Sequence, residues 1–147
     1  MSERPLLDSD GAEFCRLRYY PARQQLSVSW LGYIDGARAQ EGARASLETV
    51  QQHACRCLLN DNTHLRGPWF DSLLWVAQQW APAAATAGLR YVAHVVRAGT
   101  LATTFIASPA HQLFTQFEIQ IFDSLAEANE WLLGCAFLPA PASPQIK

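Results

Sequence analysis

A chain of 147 residues is sized for one domain with a real core, and a composition half hydrophobic and 16% charged excludes a disordered protein. Its net charge of -2 supplies neither a basic field for nucleic acid nor a polybasic patch for anionic membrane. No apolar run approaches the ~20 residues of a membrane helix, and Met1-Ser2-Glu3-Arg4-Pro5 lacks the apolar centre of a signal peptide. The expectation is therefore a cytoplasmic protein without membrane insertion.

Residues 1–12 are polar and carry Pro5, Asp8, Asp10 and Gly11, which reads as a loose lead-in. From Glu13 to Tyr20 the chain alternates, with Phe14, Leu17 and Tyr19 set against Arg16, Arg18 and Tyr20. Pro21 to Gln24 forms a turn, and Leu26-Ser-Val28-Ser-Trp30 alternates cleanly, so the two runs make a β-hairpin. Gly32 and Asp35-Gly36 close it. Over 37–56, Ala43, Leu47, Val50 and Ala54 fall at steps of four, three and four, the single apolar face of a helix.

The next stretch, Cys57 to Trp69, organises the rest. It begins as a short apolar run, turns polar at Asn60, and reaches Gly67-Pro68, with Pro68 fitted to the first position of a helix. The spacing predicts a buried strand over 57–62 that leaves the sheet at Asp61. The crevice outside such strand ends is where ligands of open α/β sheets gather. The site residues expected from this loop and the following helix are Asp61, Asn62, Thr63, Arg66, Trp69, Ser72 and Trp75.

Residues 69–81 form a helix apolar on more than one face, with Trp69, Phe70, Leu73, Leu74, Trp75, Val76, Ala77, Trp80 and Ala81. Pro82 weakens its end and Gly88 closes it. Tyr91 to Val96 is nearly continuous in β-formers and reads as a central strand over 90–97. Leu101 to Phe117 is helical in composition but interrupted at Ser108-Pro109. Glu118 to Phe122 alternates as a strand, and Ser124 with Glu127 forms a capping box for a helix lined by Leu125, Ala128, Trp131, Leu132 and Cys135. The segment 136–147, with Pro139, Pro141 and Pro144, reads as a disordered tail. The predicted order β-β-α-β-α-β-α-β-α makes 13–135 one α/β domain with a single mixed five-stranded sheet flanked by helices.

Chemical fingerprints are few. Asp61, Thr63 and His64 are an acid, a hydroxyl and an imidazole, but neighbours on a strand point to opposite faces, and no Gly-x-Ser-x-Gly elbow exists. Local side-chain to backbone bonds explain Asp61 and Thr63. His53, His94 and His111 are isolated in sequence and read as core or surface histidines. Cys15, Cys55, Cys57 and Cys135 read as free buried thiols, since Cys55-Arg-Cys57 has no second pair to make a zinc site. No catalytic residue, metal or cofactor is expected, and the chain does not read as an enzyme.

The motifs Leu-x-Val-x-Trp-x-Gly at 26–32, Leu-Leu-Asn-Asp-Asn-Thr at 58–63 and Phe-Asp-Ser-x-Ala-Glu-Ala-x-x-Trp-Leu at 122–132 resemble those of the STAS domain. The nearest likeness is to the small stand-alone bacterial STAS/CRAL-TRIO-like, or SpoIIAA-like, proteins. The resemblance implies a five-stranded sheet flanked by helices and a non-enzymatic role in regulatory protein–protein interaction. STAS antagonists follow this strand with a phosphorylatable Asp-Ser-Ser/Thr-Gly. Here Asp61 matches the strand-end aspartate, but Gly67-Pro68-Trp69-Phe70 replaces the phosphoacceptor. The alternative implied by CRAL-TRIO relatives is a carrier of a small apolar molecule or lipid between helix and sheet. Because Trp69, Trp75 and Val76 exceed one buried stripe, a homodimer through helix 69–81 or 125–133 is the expected assembly.

Overall fold

The computed structural model describes residues 1–67, 75–97 and 115–137. Three expectations lie outside the described residues: the start of the helix at Trp69, the helical pieces over 101–114, and the tail beyond Phe137.

Among the described residues six strands form one sheet in strict sequence order, not the expected five. The addition is β1 (Ser2–Leu7), in the segment read as a loose lead-in. It pairs antiparallel with β2 (Glu13–Tyr20), which pairs antiparallel with β3 (Gln25–Tyr33). Its sequence hid it because only Leu6 among its residues is buried. A strand at the sheet's edge gains its ladder without an apolar face, and Pro5 costs little where one side is unpaired. Exposed charges complete it, with Arg18 Nε donating to Glu3 Oε1 at 2.7 Å and Arg4 to Glu48 at 3.3 Å.

Gln24, in the left-handed region at φ 49, leads the short turn Pro21–Arg23 into β3. After β3 the chain enters α1 (Gly36–His53), whose start is capped by Asp35 Oδ1 accepting from Arg38 N at 2.9 Å. The buried residues of α1 are small: Ala39, Gly42, Ala43, Ala45, Ser46 and Val50. The predicted stripe survives at Ala43 and Val50, with Leu47 half-buried. Ala54 ends the helix in the left-handed conformation at φ 50 and is exposed.

β4 (Cys57–Arg66) runs parallel to β3 and continues past Asp61, where the sequence predicts the strand to end. Its register explains the extension. Ser29 pairs with Asp61 but Leu31 with His64, so two residues of β4 face the single Trp30. That is a β-bulge, which keeps the ladder going while re-aiming side chains. Polar composition past Asn60 therefore marks a bulge rather than the strand's exit.

The second helix is described from Trp75. A π-helical turn, Val76–Trp80, runs into α2 (Ala81–Ala87), which extends beyond the expected end at Ala81 and is closed by Gly88 at φ 123. Pro82 is accommodated at the first turn of that α-helical segment, where a missing N–H costs little. β5 (Tyr91–Val95) is buried at all five positions, as its unbroken apolar run predicts. β6 (Glu118–Phe122) follows, and both β5 and β6 are parallel to their predecessors. Ser124 caps α3 (Leu125–Ala136), its Oγ accepting from Glu127 N at 3.2 Å.

The helices divide between the sheet's two faces. α1 and α2 close the larger core, with Leu17, Leu26, Val28, Trp30, Leu58, Trp80 and Val92. On the other face α3 covers β4, β5 and β6, packing Ala128, Leu132 and Cys135 on Cys57, Leu59, Tyr91, Ala93 and Val95. All four cysteines are buried and free. Among the described residues no helix is long and apolar enough to cross a membrane.

Candidate functional site

The larger core is not completely filled. Between the sheet and the α1–α2 layer lies a cavity of about 140 Å³. Val28, Leu58, Val92 and Ile119 form its sheet wall, Ala39, Ala43 and Ser46 its α1 wall, and Val76, Trp80 and Phe117 its far side. Small residues on α1 leave this room. At Gly42 the approach is closest, since a Cβ there would sit 2.4 Å from Cη2 of Trp30. The π-turn aims the Trp80 ring back at α1, where its Nε1 donates to the carbonyl of Ala43 at 2.7 Å.

One end of the cavity is polar and consists of Trp30, Asn60, Asn62 and His94. The sheet register assembles them, for Asn60 is paired with His94 across β4 and β5. Strand alternation places Asn62, two residues on, on the same side as Asn60, and both residues line the cavity. Trp30 Nε1 donates to Asn60 Oδ1 at 2.7 Å. The amides of Asn60 and Asn62 lie 3.0 Å from Nδ1 and Nε2 of His94, respectively. Burial pushes the His94 pKa down to about 4, because a charged ring in this position would lose its water. The ring is thus neutral at physiological pH and acts as a bridge between two amides.

Of the expected site residues that the structure describes, Asn62 alone lines the cavity, and it is buried. Asp61 and Thr63 satisfy each other across the bulge: Asp61 Oδ1 accepts from Thr63 N at 3.0 Å and from Thr63 Oγ1 at 2.5 Å. Arg66 is exposed at the end of β4, its carbonyl accepting from Ile34 N at 2.6 Å. Trp75 is half-buried beside the larger core, under the guanidinium of Arg44 at 5.3 Å. Trp69 and Ser72 lie outside the described residues. Sequence reasoning missed Trp30, Asn60 and His94 as a group. A signal was present: His94 stands alone in an apolar central strand, and a buried polar ring requires polar neighbours on the adjoining strand.

Among the described residues no cluster of His, Cys, Asp and Glu could hold a metal ion. The thiols are poor nucleophiles, with burial raising Cys15 and Cys55 to about 12 and Cys57 to about 11.

No family model matches the chain, and no curated protein matches it. Among solved structures the chain is similar to an uncharacterized protein of the DUF3478 family with a SpoIIAA-like fold from Shewanella loihica PV-4. The likeness covers 89% of this chain and 92% of that one, at 16% identity and a TM-score of 0.49. That is the fold the sequence motifs resemble, and at this level the likeness carries nothing about function.

Proposed function

We propose that the protein is a binding protein for a small, largely apolar molecule held between the sheet and the α1–α2 layer. The observation that supports this reading is the cavity of about 140 Å³, apolar on its walls and polar at one end. Such a lining, with a few convergent polar groups, is the usual make-up of a ligand pocket. A cavity of about 150 Å³ accepts a molecule the size of benzene, so this one has room for a small apolar molecule. A binding role suits the chemistry better than catalysis. Both ring nitrogens of His94 are engaged by amides, which leaves the ring no free nitrogen to act as a general base.

The test is thermal unfolding with benzene as the probe. A ligand at about 100-fold its Kd stabilises by about 2.7 kcal/mol, which raises the Tm of a chain this long by several degrees. Substituting Ala43→Leu fills the cavity and removes that shift. A wild-type Tm indifferent to benzene and to other small apolar probes contradicts the reading.

A second reading, a docking module of the STAS type, is favoured by the half of the sheet opposite α1. There Arg16, Arg18, Ser27, Ser29 and Leu31 of β2 and β3 are only half-buried, and Tyr33 is 61% exposed. Sizing chromatography of the purified protein separates the two. A dimer, with no response to apolar probes, supports docking.

A further inference from the structure

We propose that the outer edge of β6 is an association surface for a second copy of this chain, which adds its own β6 antiparallel and joins the two sheets into one. The inference goes beyond the cavity and stands whether or not a ligand occupies it.

The two ends of the sheet are built differently. β1 closes one end and carries Glu3, Arg4 and Pro5. Charges and a proline are the usual means of keeping a strand edge from pairing further. β6 closes the other end with Glu118-Ile119-Gln120-Ile121-Phe122, which has a single charge and no proline. Its register with β5 runs without a bulge. Among the described residues no strand lies beyond it.

The direction of its backbone groups follows from two bonds. Glu118 N donates to Arg90 O at 2.9 Å, and Phe122 O accepts from Val96 N at 2.8 Å, so both residues turn their backbone groups toward β5. Alternation along the ladder puts Gln120 with them and turns the N–H and C=O of Ile119 and Ile121 outward. Both isoleucines are only half-buried, and Gln120 is exposed. Outward donors and acceptors on partly wet β-formers are a template for another strand.

The occupant is a second copy because the strand is complementary to itself. A twofold axis at Gln120 sets Ile119 against the partner's Ile121 and Ile121 against the partner's Ile119. These are the outward-facing residues, so each pair exchanges both of its backbone hydrogen bonds. Gln120 meets the partner's Gln120, and two amides can donate and accept in return. Glu118 meets the partner's Phe122, so no like charges are opposed. Moving the axis to Glu118 would set carboxylate against carboxylate, which is destabilising. Moving it to Phe122 would leave most of the strand unpaired. On the α3 face the half-buried rings of Phe122 and Trp131, 5.8 Å apart, carry apolar surface up to this edge. A twofold contact of this kind is closed, so growth stops at the dimer.

The experiment is sedimentation velocity of the full chain from micromolar to submillimolar concentration, with circular dichroism to show that each variant is folded. The wild type should dimerise. Gln120→Lys opposes like charges at the axis and should weaken the dimer about fivefold. Ile121→Pro removes an outward N–H, which an edge strand tolerates, and should weaken it roughly 30-fold through the hydrogen bonds lost on both copies. Gln120→Cys should cross-link in oxidised glutathione, because residues opposed in a non-hydrogen-bonded antiparallel pair are close enough for a disulfide. Glu130→Cys, on the exposed side of α3, should not. A wild type that stays monomeric throughout the range overturns the proposal. So does a dimer that neither Gln120→Lys nor Ile121→Pro weakens and that Gln120→Cys does not cross-link, since its interface then lies elsewhere.

Discussion

His94 occupies the middle of β5 with its ring shut from water, and that burial holds its pKa at about 4. In the unfolded chain the same ring titrates near ~6.5. Between these values the unfolded chain binds a proton that the native state refuses. Stability is thus full above pH ~6.5 and declines as the pH falls from ~6.5 toward 4, by about 3 kcal/mol in all. Below that window both states are protonated and the contribution stops changing. Urea midpoints measured at neutral pH and near pH 4.5 should therefore differ more for the wild type than for His94→Gln. Equal pH dependence in the two proteins would contradict the buried neutral ring. The same residue shows what a sequence hides. An isolated histidine gives no account of its partners, and Asn60, Asn62 and Trp30 gather beside it only through strand register and alternation. The polar turn of Cys57–Trp69 drew attention to Asn62, which lines the cavity, whereas Asp61 and Thr63, equally polar, close on each other.

At the scale of elements, apolar periodicity revealed whatever has an apolar side. β2, β3, α1, β5, β6 and α3 lie within a few residues of their predicted bounds, because each buries a face and its sequence must alternate or recur to do so. β1 was illegible because an edge strand takes its stability from ladder bonds and cross-strand charges. The extension of β4 was illegible because a bulge looks like a turn when read along one strand. The π-turn Val76–Trp80 has no sequence signature, yet it delivers Val76 and Trp80 to the cavity wall. Contact between α1 and the sheet depends on Gly42, which leaves room for Trp30. An alanine there would gain about 1 kcal/mol in helix propensity, but its Cβ would lie 2.4 Å from the buried indole of Trp30. Overpacking of this kind costs about 1–3 kcal/mol. Gly42→Ala should therefore lower the urea midpoint despite the helix gain, and also weaken benzene binding by shifting Trp30. A variant more stable than the wild type would show that α1 is not seated on the indole.

For the molecule as a whole, the two faces of the sheet differ, and the proposed binding site rests on that difference. The α3 face is packed by Ala128, Leu132 and Cys135 onto β4 and β5. The α1–α2 face combines small helix residues with large strand residues and keeps a void beside a buried polar group without a partner. Native cores are close-packed, and buried polar atoms nearly always have partners. One face departing from both rules at the same place is the reason for assigning the binding site there. Of Trp69, Trp75 and Val76, the surplus that suggested a dimer, Val76 lines the cavity and Trp75 packs beside the larger core under Arg44. The most direct measurement is a crystal structure of the protein grown with benzene. The account predicts one benzene molecule between β4–β5 and α1. A cavity closed by side chains, or filled only by ordered water, would contradict it.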